Sequence, residues 1–239
     1  MLFARHDAKA EDDTIVALIA GALRRDIAFG ALPPDARLKP QDLQGRYGGS
    51  THSIRESLRM LASEGLVAAE AQRGFRVGSA TDADLADVAR VRREIERLAL
   101  SWSMANRDVA WEGRVIAAHH ALGRAEAAVR AALDDMTALE WDAALRGFHL
   151  ALGDAAGSPR IGALQKQFFD QSRRFMLAAL REGRIDFAAR AAAQGALLAA
   201  ILRGDAPAAL AALNDDIALG LGLGRDEPGA DRDRDQPRT

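Results

Sequence analysis

The sequence predicts a mainly α-helical protein in two parts, an N-terminal winged helix-turn-helix over residues 1–78 and an all-α bundle of about six helices over residues 79–223. Three observations predict it. Residues 48–61 join a two-glycine turn, Gly48-Gly49, to a helix whose apolar stripe is Ile54, Leu58 and Leu61. Two short β-prone runs follow, at 65–69 and 75–77, separated by a loop that holds Arg73 and Gly74. Beyond Val77 only long stretches of helical periodicity remain.

Taken in order, residues 14–29 place Ile15, Leu18, Ile19, Leu23 and Ile27 on one helical face. Residues 39–47 read as a short helix, with Pro40 near the first position, where a missing N–H costs nothing, and Leu43 and Tyr47 turned inward. Ser50 is a hydroxyl cap for the third helix. Helix, helix, tight turn, helix and hairpin is the order of a winged helix. The bundle helices are expected at 82–106, 111–133, 137–156, 159–182, 185–203 and 206–221, divided by Gly157-Ser158-Pro159, Gly183 and Gly204-Asp205. Residues 78–80 join the two parts, and 224–239, where Asp and Arg alternate, are expected to form a disordered tail.

The third helix leaves one face free for a partner. On it stand Ser50, Thr51, His52, Ser53, Arg55 and Arg59, donors and cations without a carboxylate among them, which suits phosphates and guanine edges. Arg37 and Arg73 flank that face in the chain. The formal net charge of -2 argues against a nucleic-acid partner only when averaged over the whole molecule. Residues 37–76 hold seven cations against four acids, and the local excess governs phosphate contact. The expected partner is double-stranded DNA.

Composition bounds the rest. A chain of 239 residues, 49% hydrophobic and 28% charged, has material for two domains with real cores. Zero cysteines exclude disulfides and thiolate metal sites. No apolar stretch approaches the ~18 residues of a membrane span, and the N-terminus lacks a signal-peptide apolar region. The expectation is a cytoplasmic protein with no membrane partner.

Four polar residues interrupt the apolar stripes of the bundle: Arg92 between Val88 and Ile95, His149 between Leu145 and Leu152, Gln194 between Ala191 and Leu198, and Asp216 between Leu213 and Gly220. Burying one such group without a partner costs about 1–3 kcal/mol, so four of them must face each other, water or a ligand. A shared polar cavity is the economical account. The alternatives are a satisfied core histidine at His149 and a structural ion pair between Arg92 and Asp216. His119 and His120 point in different directions and receive no role; Asp142, near Arg146, reads as an exposed residue and is set aside as a ligand.

The run Gly30-Ala31-Leu32-Pro33-Pro34, Arg37-Leu38, Asp42-Leu43, Ser50 through Leu58, Glu64-Gly65-Leu66-Val67 and Arg73-Gly74 resembles the winged-helix domain of the GntR regulators, over about residues 14–78. The resemblance carries Arg55 over as a DNA contact. Thr51 stands where the family has its first arginine, so a bidentate guanine contact is absent there. Residues 82–221 resemble the effector-binding FCD domain of the FadR-type branch, through Arg92, Ile95-Glu96, Phe148-His149, Leu197-Leu198, Gly204-Asp205 and Asp216-Ile217. In many members of that branch an aspartate and three histidines hold a divalent metal that helps grip a small organic acid. The matching positions here are Leu145, His149, Gln194 and Asp216, which leaves at most a weak metal site on His149 and Asp216.

The resemblance therefore implies a homodimeric transcription regulator, by family habit a repressor. Its small-molecule carboxylate effector would meet Arg92, His149, Gln194 and Asp216 in place of a tight metal. The runner-up is a DNA-binding adaptor whose pocket has degenerated and senses nothing. An enzyme using His149 and Asp216 as acid and base is the weakest reading, because no nucleophile motif or phosphate loop accompanies them and the winged helix would be unexplained.

Overall fold

The structure, a computed structural model, describes residues 2–70 and 73–223, with side chains from Thr14 onward. In chain order the elements are α1 (Leu2–Ala28), β1 (Arg37–Leu38), α2 (Pro40–Tyr47), α3 (Thr51–Ser63), β2 (Val67–Glu70), β3 (Gly74–Val77), α4 (Asp82–Ala105), α5 (Val109–Ala131), α6 (Asp135–Gly153), α7 (Pro159–Arg181), α8 (Phe187–Arg203) and α9 (Ala206–Gly220). The expected disordered tail at 224–239 lies outside the described residues.

The N-terminal part forms its own core. Ile19, Leu23 and Ile27 of α1 close over Leu43 of α2 and Ile54, Leu58 and Leu61 of α3, and the sheet adds Leu38, Val67 and Val77. The turn between α2 and α3 depends on two successive left-handed residues, Gly48 (φ 74°) and Gly49 (φ 76°). A Cβ on Gly49 would also lie 2.8 Å from Ile19 Cδ1, which would have to turn aside, but the positive φ is what makes glycine the fitting residue here. The three strands run antiparallel in the order β1-β3-β2, with Leu38 opposite Phe75 and Val67 opposite Val77.

Two differences from expectation have local causes. β1 is only two residues long and carries no period-2 signal, so only its pairing with β3 reveals it. α1 begins at Leu2 rather than residue 14, because the preceding stretch is rich in good helix formers but lacks an apolar stripe.

Six helices, α4 to α9, form the second core, within one or a few residues of the expected limits. α8 lies against α9, α5 against α6, and α4 against both α7 and α9. Trp111, Trp141, Phe148, Phe169, Leu197 and Leu213 fill the centre. The Trp111 indole is satisfied by the Ala151 carbonyl at 2.9 Å. No helix among the described residues is long and apolar enough to cross a membrane.

Candidate nucleic-acid interface and buried polar core

α3 is amphipathic by construction, and its outer face is where the sequence placed the DNA contacts. Thr51, His52, Arg55 and Arg59 are exposed there. Arg55 makes no hydrogen bond or ion pair among the described residues, whereas Arg59 is paired with Glu56 one turn back. Thr51 Oγ1 donates to Gln44 Oε1 at 2.9 Å, which ties the start of α3 to α2. Ser50 is the N-cap, its Oγ accepting from Ser53 N at 3.0 Å.

Ser53 corrects the expectation. It is buried, with its hydroxyl 2.8 Å from Ser50 Oγ, because it follows Ser50 by three residues and so turns back under the cap towards α1. It supports the helix start and does not face outward. At the wing, Arg73 is exposed next to the tip, and Arg37 Nη2 donates to the Arg73 carbonyl at 3.1 Å, bringing both predicted cations to one edge. Arg76, also in the wing, is held by Glu70 at 2.9 Å.

In the bundle the four singled-out residues do converge. Arg92 Nε donates to Glu96 Oε1 at 2.6 Å, Glu96 Oε2 meets His149 Nδ1 at 2.5 Å, and His149 Nε2 lies 3.2 Å from Asp216 Oδ2. Asp216 Oδ1 accepts from Gln194 Nε2 at 3.0 Å and from Arg190 Nε at 3.2 Å. Glu126 closes the far end, 3.3 Å from Gln194 and 3.4 Å from Arg190. All seven side chains are buried.

The suggested ion pair between Arg92 and Asp216 is therefore not made. His149 stands between them, and each has a nearer partner of its own: Glu96 sits one turn along α4 from Arg92, and Arg190 faces Asp216 across α8 and α9. Glu96, Arg190 and Glu126 were missed as site residues, although Arg92-Glu96 and Arg190-Gln194 are both i,i+4 polar pairs on otherwise apolar faces, a signal visible in the chain. Asp142 is also corrected. It is buried, not exposed, and takes Arg173 Nε at 3.0 Å, so it belongs to a separate ion pair between α6 and α7.

The electrostatics follow from burial and neighbours. Burial works against the charged form of every group here, but Arg92 and then His149 outweigh it at Glu96 and hold its carboxyl down at about 2. Burial would lower His149, yet Glu96, assisted by Asp216, more than reverses this and raises it. Burial likewise opposes ionisation of Asp216, which Arg190 and His149 drive well below the ordinary range. Glu126 is the exception, because burial dominates and its pKa rises.

A metal does not fit these residues. His149 lies between two carboxylates, Glu96 at 2.5 Å and Asp216 at 3.2 Å, and its raised pKa favours the protonated form, which has no lone pair for a metal. Leu145 cannot coordinate, and Arg190 already occupies Asp216 as its cation. Among the described residues no group of three or more His, Cys, Asp or Glu is arranged to hold an ion.

α7 connects the two regions. One face carries Ser172, whose Oγ accepts from Arg92 Nη1 at 2.9 Å, and Phe169, whose ring lies 4.5 Å under the Arg92 guanidinium. The adjacent face presents three donors to backbone carbonyls of the winged-helix part and its linker: Gln171 to Glu64 at 2.6 Å, Arg174 to Gly78 at 2.8 Å and Arg181 to Phe29 at 2.6 Å. None of these is legible in the sequence, since residues 96 to 152 positions apart in the chain carry no mutual sequence signal.

Comparisons with known proteins agree with this architecture. The family described as "Bacterial regulatory proteins, gntR family" matches residues 16–77, and the FCD domain family matches residues 87–219. The chain is 32% identical to the HTH-type transcriptional repressor GlaR of Escherichia coli (strain K12), over 66% of this chain and 71% of that protein. It is 38% identical to the uncharacterized HTH-type transcriptional regulator BphR of Paraburkholderia xenovorans (strain LB400), over 57% of this chain and 55% of that protein, little more than half its length. The solved structure of E. coli McbR/YncC superposes with a TM-score of 0.69 at 21% identity, over 85% of this chain and 93% of that one, a likeness of fold. The first family and both curated relatives are named as regulators, and the chain belongs to the GntR family of bacterial regulatory proteins, in the branch that carries an FCD domain.

Proposed function

We propose that this protein is a cytoplasmic, homodimeric transcriptional repressor that reads a palindromic operator with α3 and the β2-β3 wing, and that a small organic acid bound in the helical domain shifts its affinity for DNA. The observation that carries the DNA reading is the contrast along α3: Ile54, Leu58 and Leu61 are buried, while Arg55, exposed and unpaired among the described residues, stands on the opposite face with His52. Arg37 and Arg73 supply wing contacts to the phosphates. A second copy would cover Leu98 and Trp102, exposed apolar side chains one turn apart on α4. Repression is taken from GlaR by similarity.

For the effector, the supporting feature is Arg92. Its Nη2 is buried and makes no hydrogen bond among the described residues, so a carboxylate reaching it would gain a charge-assisted bond beside His149, Gln194 and Asp216. The ligand-blind reading has its own support in the ion pairs that already match charge with charge through this core. Gel retardation with a fragment from upstream of the protein's own gene tests the first part. Arg55→Ala should abolish specific retardation with the melting temperature nearly unchanged, and retained binding would refute the assignment of α3. Melting against organic acids tests the second, and loss of a stabilising shift in Arg92→Gln would place the ligand at the core.

A further inference from the structure

A cavity of about 390 Å³ lies between the two parts of the molecule, on a side of α7 that the buried core does not use. Its volume falls in the range of small-ligand pockets. Ile27 at the end of α1 and Phe29 just beyond it, Leu85 from α4, and Phe175 and Ala178 from α7 give it an apolar floor. Three guanidinium groups share the rim: Arg174, Arg181 and Arg184. Two acids are also present. Glu182 is neutralised by Arg184 Nε at 2.6 Å, and Asp82 lies in the first turn of α4, so the charge balance stays positive.

Two of the cations are engaged by the backbone of the DNA-binding part, and one is incompletely satisfied. Arg181 spans the Phe29 carbonyl at 2.6 Å and Asp135 at 3.1 Å. Arg174 donates Nη1 to the Gly78 carbonyl, but its Nε is buried and has no hydrogen-bond partner among the described residues. Burial also lowers the Arg174 pKa against the pull of Asp84 and Asp35. A partly desolvated guanidinium over an apolar floor is complementary to a carboxylate with an apolar body.

We propose that this inter-domain cleft is a binding site for an amphipathic monocarboxylate, whose head meets Arg174 and whose apolar body packs between Phe29, Leu85 and Phe175. The occupant would touch α1 and α7 together. It would therefore bias the placement of the winged helix directly, by its differential affinity for one arrangement of the two parts. The site rests on the DNA-binding reading but not on a ligand at Arg92.

The test uses the full-length protein and a panel of hexanoate, benzoate and 3-phenylpropionate, each beside its matching alcohol. Binding acids should raise the melting temperature by roughly 5 °C at a hundredfold excess over Kd and change operator affinity at least ~5-fold, while the alcohols do neither. Ala178→Phe fills the cavity and should abolish both effects with operator binding intact. Photo-crosslinking of the unaltered protein with 4-benzoylbenzoate gives a readout that needs no variant, and should label the peptides holding Phe29 and Ala178. No shift with any acid, equal shifts with the alcohols, or labelling of the peptide holding His149 would overturn the proposal. A shift that survives Ala178→Phe and disappears in Arg92→Gln would transfer the ligand to the core, and loss of operator binding in the unaltered protein would instead refute the DNA reading.

Discussion

The outer face of α3 and the centre of the bundle use the same side chains for opposite ends. On α3 Arg55 stands in water, where an unpaired charge costs little and stays available to a phosphate. In the bundle Arg92, His149 and Arg190 are removed from water, and each is committed to a carboxylate: Glu96, Asp216 or both. Residue type alone therefore does not identify a binding group; its dielectric surroundings decide whether its charge remains free.

The largest effect is expected where that commitment is broken. Asp216→Ala leaves Arg190 and His149 facing each other with Glu96 and Glu126 as the remaining counter-charges, and loss of one partner of a buried pair costs about 3–5 kcal/mol. Thermal or urea unfolding should show the bundle severely destabilised. If the variant melts within a degree or two of the parent, the network is solvated and the contrast with α3 disappears. Arg55→Ala comes next and reverses the profile: one arginine contact to DNA is worth about 1–3 kcal/mol of operator binding, roughly 10- to 100-fold, with no comparable change in unfolding. The two variants together separate a charge that serves the fold from one that serves a partner.

Sequence periodicity recovered the fold class because every helix of both cores carries its own apolar stripe, from Ile54-Leu58-Leu61 in α3 to Leu213-Ile217 in α9. It also found Arg92, His149, Gln194 and Asp216, since a polar residue inside a stripe is conspicuous. What it could not supply was pairing. Nothing in the chain says that Asp216 answers Arg190 rather than Arg92, because that choice depends on how α8 and α9 cross. Ser53 was misplaced for a different reason: the first turn of a helix is read as surface, yet here the third helical residue is buried against its own cap, Ser50. Gln171, Arg174 and Arg181 bind carbonyls, which every residue possesses, and so leave no trace in composition.

A smaller effect concerns pH and sharpens the same comparison. His149 has a raised pKa in the folded chain, so the folded state holds a proton that the unfolded chain releases above about pH 6.5. Its stabilising contribution is complete below that value and is lost as pH rises through the folded pKa, with a slope of at most about 1.4 kcal/mol per pH unit for one proton. Glu96 and Asp216, both lowered, act in the other direction; their contribution is present above about pH 4 and lost in acid. Glu126, raised by burial, loses stability on the same side as His149 but begins nearer pH 4.5. Melting temperature should therefore decline from pH 6 towards 9, and His149→Gln should remove the part of the decline that starts near 6.5. An unchanged profile would mean that the imidazole is neutral in the fold.

The smallest change is expected at Arg59, and it discriminates between two kinds of exposed cation on one helix. Arg59 is exposed and already paired with Glu56 at i,i+3, an arrangement worth only a few tenths of a kcal/mol in water. Arg59→Gln should leave unfolding within about 0.5 kcal/mol of the parent. If Arg59 exchanges Glu56 for a phosphate on binding, the slope of log affinity against log salt should fall by about one, equally for operator and random DNA. An unaltered slope would show that the intrahelical pair persists on DNA, leaving Arg55 as the α3 cation that meets the duplex. The outcome turns on the same quantity that separates the two regions: whether a nearby carboxylate or the nucleic acid offers the guanidinium the better partner.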